Sequence, residues 1–167
     1  MAATVRINEY NGAGETATNN ITNSNFGSTD AANLTAASYP ITAGTSSYEK
    51  YQKLEVTAMG GSSKVKDIKV WYTGTLSGSD SLLTNARTTS YGGAATYATP
   101  VNSTSSKATE TMPSSAPGTA NLGISGSLTG ELTATGTSDY LVMQLNVHSA
   151  TTAGATLTSN WRYTEVA

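Results

Sequence analysis

No cysteine occurs among the 167 residues of the chain. That absence removes disulfide frameworks, thiol nucleophiles and cysteine-ligated zinc sites together. It fits folding in a reducing cytoplasm, although exported bacterial proteins often share the trait. Charge is scarce too, at 12% of residues with a formal net charge of −2. No whole-chain field then draws the protein to phosphate, and no nucleic-acid partner is expected. No apolar run approaches the roughly 18 residues a membrane helix needs, so no membrane partner is expected. The start, MAATVRINEYNG, lacks the apolar stretch of a secretory signal. A protein that works outside a cell would then need another way out, such as assembly into a particle and lysis.

Ser and Thr, by contrast, make up roughly 30% of the chain, well above ordinary globular usage. Thr favours strands because its branched Cβ suits a pleated surface, while Ser, Gly and Asn favour turns. No apolar spacing of 3.6 is sustained anywhere, so the chain reads as all-β. A compact chain of this length buries roughly 70% of its unfolded surface and needs no disulfide to fold. The expected architecture is a single antiparallel β-sandwich over 1–167, jelly-roll-like. Poorly patterned, arm-like segments are expected near 13–38 and 100–122.

The pattern is clearest in three places. TVRINEY, Thr4 to Tyr10, alternates Val5 and Ile7 against Arg6 and Glu9, and Asn11-Gly12 follows as a turn signal. In YEKYQKLEVTAMGGSSKVKDIKVWY, Leu54, Val56 and Ala58 share one face and Ile68, Val70 and Tyr72 another. Two such runs around Gly60-Gly61 predict a β-hairpin. The stretch holds five of the six lysines, but with Glu49, Glu55 and Asp67 among them it is no phosphate groove. They are expected on the solvated face and at the turn. Last, SDYLVMQLNVHS places Leu141, Met143, Leu145 and Val147 on one face, and ATLTSNWRYTEV places Leu157, Trp161 and Tyr163 on one face. With Thr151-Thr152-Ala153-Gly154 between them, these predict a second hairpin. Between these regions, 13–38 offers little beyond Phe26 and Leu34, so it is expected to pack only with outside help. In TMPSSAPGTANLGI, Pro113 and Pro117 argue against a central strand.

Groups able to do chemistry are few. His148 is the only histidine. Its neighbour Ser149 points to the opposite face of a strand, and no G-x-S-x-G elbow exists. Ser47–Lys50 and Ser63–Lys66 have S-x-x-K spacing, but in or beside strands and without S-D-N or K-T-G partners. The 11 carboxylates form no EF-hand loop or D-x-D cluster. No catalytic residue, metal or cofactor is therefore expected. Trp71 and Tyr140 flank apolar rows on the presumed polar faces. They are candidates for stacking on a sugar or for a subunit contact. Phe26, Pro113 and Pro117 complete the candidate interaction surface. Asn20, Asn33 and Asn102 match the N-glycosylation pattern, which carries little weight without an export signal.

The order INEYNGAGETAT, ITNSNFGSTD, SYEKYQKLEVTAMGGSSKVKDIKVW, TMPSSAPGTANLGI and SDYLVMQLNVHS…WRYTEV resembles small β-rich structural proteins of tailed bacteriophages. The likeness covers most of the chain as pattern and composition, without a signature motif. It implies a non-enzymatic virion component made in the bacterial cytoplasm, with capsid decoration (cement) as the leading role. It implies the major capsid protein or other virion subunits as partners, and a homo-oligomer with a trimer favoured. The alternative is a carbohydrate- or receptor-binding module of a tail or fibre.

Overall fold

A computed structural model describes residues 2–152 and 154–167. Its strands are β1 (Thr4–Asn11), β2 (Thr16–Thr18), β3 (Lys50–Ala58), β4 (Lys64–Gly74), β5 (Ser81–Thr84), β6 (Glu110–Thr111), β7 (Glu131–Leu132), β8 (Gly136–Thr137), β9 (Leu141–Asn146) and β10 (Leu157–Val166). The larger sheet has the order β2-β1-β3-β9-β5-β6, with β8 also on β3. The smaller has the order β10-β4-β7. All pairings are antiparallel. One 3-10 turn, Ala36–Ser38, is the sole helical element among the described residues. The expected all-β sandwich is observed.

Its core follows from period-two strands. Ile68 and Val70 of the small sheet meet Leu82, Leu141 and Met143 of the large one, with Met112, Leu122 and Ile124 closing the side. Each such side chain contributes about 1.5–3 kcal/mol by leaving water. Leu54, Val56 and Val65 form an adjoining cluster under Trp161 and Tyr163. Val65 and Ile68 both point inward although their spacing is odd. A bulge permits this: register shifts between Arg162 and Thr164, and Asp67 sits in the left-handed region at φ 53. An inserted residue there turns the strand by one place.

Both expected hairpins are corrected. β3 pairs β1, β8 and β9, whereas β4 pairs β10 and β7. The Gly60-Gly61 turn, closed by Ser62 N–H to Met59 O at 2.9 Å, therefore carries the chain from one sheet to the other. β9 and β10 are likewise divided between sheets. Ala153, in the second expected turn, lies outside the described residues. Alternation dictates which side chains are buried, and it is the same for a hairpin and for an arch between layers.

The weakly patterned segments hydrogen-bond to their own fold, and Lys50 departs from its expected place. Within 13–38, Gly27 and Leu34 are buried and several hydrogen bonds tie the segment to its own fold. Ile21 N–H bonds Ile7 O at 2.9 Å, Asn25 Nδ2 bonds Leu34 O at 2.8 Å, and Gly12 N–H bonds Asp30 Oδ2 at 2.7 Å. Residues 113–122 run beside β4, where Pro113 O accepts from Tyr72 N–H at 2.9 Å and Asn121 hydrogen-bonds both backbone groups of Val70. Lys50 is buried rather than solvated, and so is Glu9. Glu9 shares its parity with Val5 and Ile7, so it belongs to their face and not to that of Arg6. The remaining lysines of the stretch are half-buried, with Lys64 and Lys66 paired to Glu131 and Asp67.

Candidate functional site

The outer face of the large sheet does not face water at its centre. Tyr51, Tyr140 and Val142 pack there with Ala108, and Tyr10, Leu83, Ala95 and Tyr97 lean against them. Residues 101–108 are pinned over this layer by two buried side chains. Gln144 Nε2 donates to Ser103 O at 2.7 Å and to Ser47 O at 3.0 Å, and its Oε1 accepts from Ser105 N–H at 3.0 Å. Glu49 accepts from Ser105 Oγ–H. Tyr140 is thus a buried residue, which corrects its expected exposure. Its ring meets Tyr10 edge-on at 5.2 Å and Tyr51 at 5.7 Å, the geometry that aromatic quadrupoles favour.

Lys53 Nζ stands 3.9 Å from the centroid of the Tyr140 ring. Burial pulls the Lys53 amine below its ordinary value, against the opposing fields of Glu15 and Asp139. Burial first, and then the hydrogen bond to Glu15, pushes the Tyr140 hydroxyl well up. Burial, with Asp30 and Glu15 nearby, raises Tyr97 to about 12. These shifts accompany a cation seated on an aromatic layer. They bring no nucleophile to an open cleft.

Trp71 lies on the opposite surface of the molecule, the outer face of the small sheet. It sits across from Asn160, with Lys69 opposite Arg162 next to it. It is half-buried and belongs to none of the apolar clusters among the described residues. Pro113 and Pro117 are half-buried in the segment beside β4. Phe26 packs against the main core. The structure therefore does not gather the five candidate residues into one surface.

Phe26 does join a feature that sequence reasoning missed. A groove of about 790 Å³ opens between β10 and the segments 21–26 and 36–43. Ile7, Leu82, Met143 and Leu145, from the large sheet, line it together with Leu157 and Trp161 of β10. Asp80 is the one charged side chain in its lining among the described residues. β10 is ten residues long and, among the described residues, has a hydrogen-bonded neighbour strand, β4, on one side only. Ser159 Oγ, in the groove lining, is buried with no hydrogen-bond partner among the described residues. The groove thus offers apolar contact beside an unpaired run of backbone. Its sequence signal was the alternation of Leu157, Ser159, Trp161 and Tyr163, which marks a buried face without showing whether a further strand completes the edge.

The catalytic motifs weighed from sequence are not assembled. His148 is exposed, and its Nδ1 accepts from Ala150 N–H at 3.2 Å. Asp139 accepts from Tyr91 OH at 2.6 Å. Ser47 Oγ donates to Tyr48 O at 2.8 Å, whereas Lys50 pairs with Glu9 at 2.7 Å. Ser63 donates to Val166 O at 3.1 Å, and Lys66 lies 3.7 Å from Asp67. No group of three or more His, Asp or Glu that would hold a metal occurs among the described residues. No helix among them is long and apolar enough to cross a membrane. Comparison with known protein families, curated proteins and solved structures finds no match.

Proposed function

We propose that the chain is a non-enzymatic virion structural protein, a decoration (cement) subunit that stabilises a bacteriophage head through subunit contacts. The observation that supports this most is the open edge, a ten-residue strand unpaired on one side along a groove of about 790 Å³. Unpaired N–H and C=O groups of an edge strand accept an extended segment of another chain, and an adjoining apolar slot takes its alternate side chains. Contacts of this kind suit a cementing subunit. The particle, the bacterial host cytoplasm as the place of synthesis and the major capsid protein as partner rest on the sequence resemblance, as does self-association into trimers. The test is particle stability. Heads assembled without the chain should lose their genome at a lower temperature, and added purified chain should restore the midpoint. Leu157→Lys, which puts a charge on the groove wall, should restore it poorly. Equal midpoints with and without the wild-type chain would end the proposal.

A second reading, a carbohydrate- or receptor-binding module of a tail or fibre, is favoured by Trp71, half-buried on the outer face of the small sheet across from Asn160. An indole with polar neighbours stacks on the apolar face of a sugar. Binding on a glycan array that disappears with Trp71→Ala would favour it over the first.

A further inference from the structure

The buried lysine raises a question that packing alone does not answer. Glu9 and Lys50 are both almost wholly buried, on the interior face of the large sheet. Lys50 Nζ donates to Glu9 Oε1 at 2.7 Å and to Ala31 O at 2.7 Å. Asn11 Nδ2 donates to that same Glu9 oxygen at 3.2 Å and to Asp30 Oδ1 at 2.6 Å. The carboxylate therefore bridges an amine and a carboxamide. The register brings them together: Tyr10 is opposite Tyr51, so the next place sets Asn11 against Lys50 across adjacent strands. Cβ atoms of such pairs lie roughly 4.5–5.5 Å apart. Both partners of the Asn11 amide are carboxylate oxygens, which accept only, so its NH₂ must face them and its Cγ lies beside the proton carrier.

We propose that Lys50 and Asn11 become joined by an amide bond between Nζ and Cγ, with Glu9 moving the protons. Transfer of one proton along the Lys50–Glu9 hydrogen bond yields a neutral amine and a carboxylic acid. The Nζ lone pair attacks Cγ, the Nζ–Cγ bond forms, and the carbonyl π pair moves onto Oδ1. Glu9 gives its proton to Nδ2. The pair on Oδ1 then restores the C=O bond and breaks Cγ–Nδ2, releasing ammonia. The surplus Nζ proton passes through Glu9 and leaves with the ammonia as ammonium. Nothing is oxidised or reduced, and no co-reactant is needed. This is nucleophilic chemistry with an adjacent general base, run once within the chain. It ties β1 to β3 covalently and closes the loop between them, which holds segment 21–34.

The test is the mass of the purified full chain. It should be lighter than its sequence mass by one ammonia. Cleavage after glutamate should release residues 10–15 joined to residues 50–55 as one branched peptide. Lys50→Arg and Glu9→Gln should each restore the full mass and separate the two peptides. Asn11 precedes Gly12, where attack by the backbone nitrogen on the same Cγ also expels ammonia. Ammonia loss that persists in Lys50→Arg, without a branched peptide, would assign the change to that ring and overturn the proposal. A wild-type chain of full sequence mass would overturn it as well. Should either variant fail to fold, the peptide map of the wild-type chain decides alone.

Discussion

Asn121→Ala should unfold the small sheet far more readily than its single lost side chain suggests. Asn121 is wholly buried and stands in for a neighbouring strand. Its Oδ1 accepts from Val70 N–H at 2.8 Å, and its Nδ2 donates to Val70 O at 2.8 Å. Val70 is buried at the centre of β4, so Ala at 121 leaves a backbone donor and acceptor unpaired together. A buried group left without its partner costs about 1–3 kcal/mol, which sets the expected loss at about 2–4 kcal/mol once some water enters. For a chain of this size that lowers the thermal midpoint by about 5–15 °C. Asn121→Asp should be no better. It keeps the acceptor for Val70 N–H but turns a carboxylate toward Val70 O. Urea unfolding followed by tryptophan fluorescence reports the change directly, because Trp71 is the next residue along β4. A loss below about 0.5 kcal/mol for Asn121→Ala would refute the reasoning, since that is the range of ordinary surface substitutions.

Ile68→Ala, in the main core, should cost about 2–5 kcal/mol in urea unfolding. Trp71→Ala, on the same strand but the outer face, should cost clearly less. Hydrogen bonds from Arg6 and Asn8 hold the Glu55 carboxyl below its ordinary 4.5, so its contribution is present above that pH and is lost as pH falls through the lowered value. Acid unfolding should therefore be less steep in Glu55→Gln. The cluster tyrosines run the other way. Tyr97 is raised from 10.0 to about 12, so its contribution is whole below pH 10.0 and is lost as pH climbs through 12. Ultraviolet titration should show tyrosines ionising late, in step with alkaline unfolding.

The faces of the strands were legible from sequence, but their neighbours were not. Leu54, Val56, Ile68, Val70, Leu141 and Met143 all fall where alternation places them. Alternation carries no information about which strand lies alongside, and so two arches between sheets read as hairpins. Charge misled in a different way. Lys50 reads as solvated because a lone lysine normally is. Its burial depends on Glu9, forty-one residues earlier, and on Ala31 O from a segment with almost no pattern of its own. Tyr140 was hidden by the same cause. Its ring is enclosed by Tyr10, Tyr51, Tyr97 and Lys53, residues far apart in sequence that meet only once the strands are in place. Of the candidate surface, Phe26 alone reaches the groove lining, because the groove arises from an edge left open in space rather than from a run of residues.

The proposed role is that of a bound component of a phage particle. Quantitative mass spectrometry of gradient-purified particles tests this most directly. The account predicts the chain at a fixed, high copy number relative to the major capsid protein, retained through repeated banding. Particles that are fully infectious and stable yet contain none of it would contradict the account.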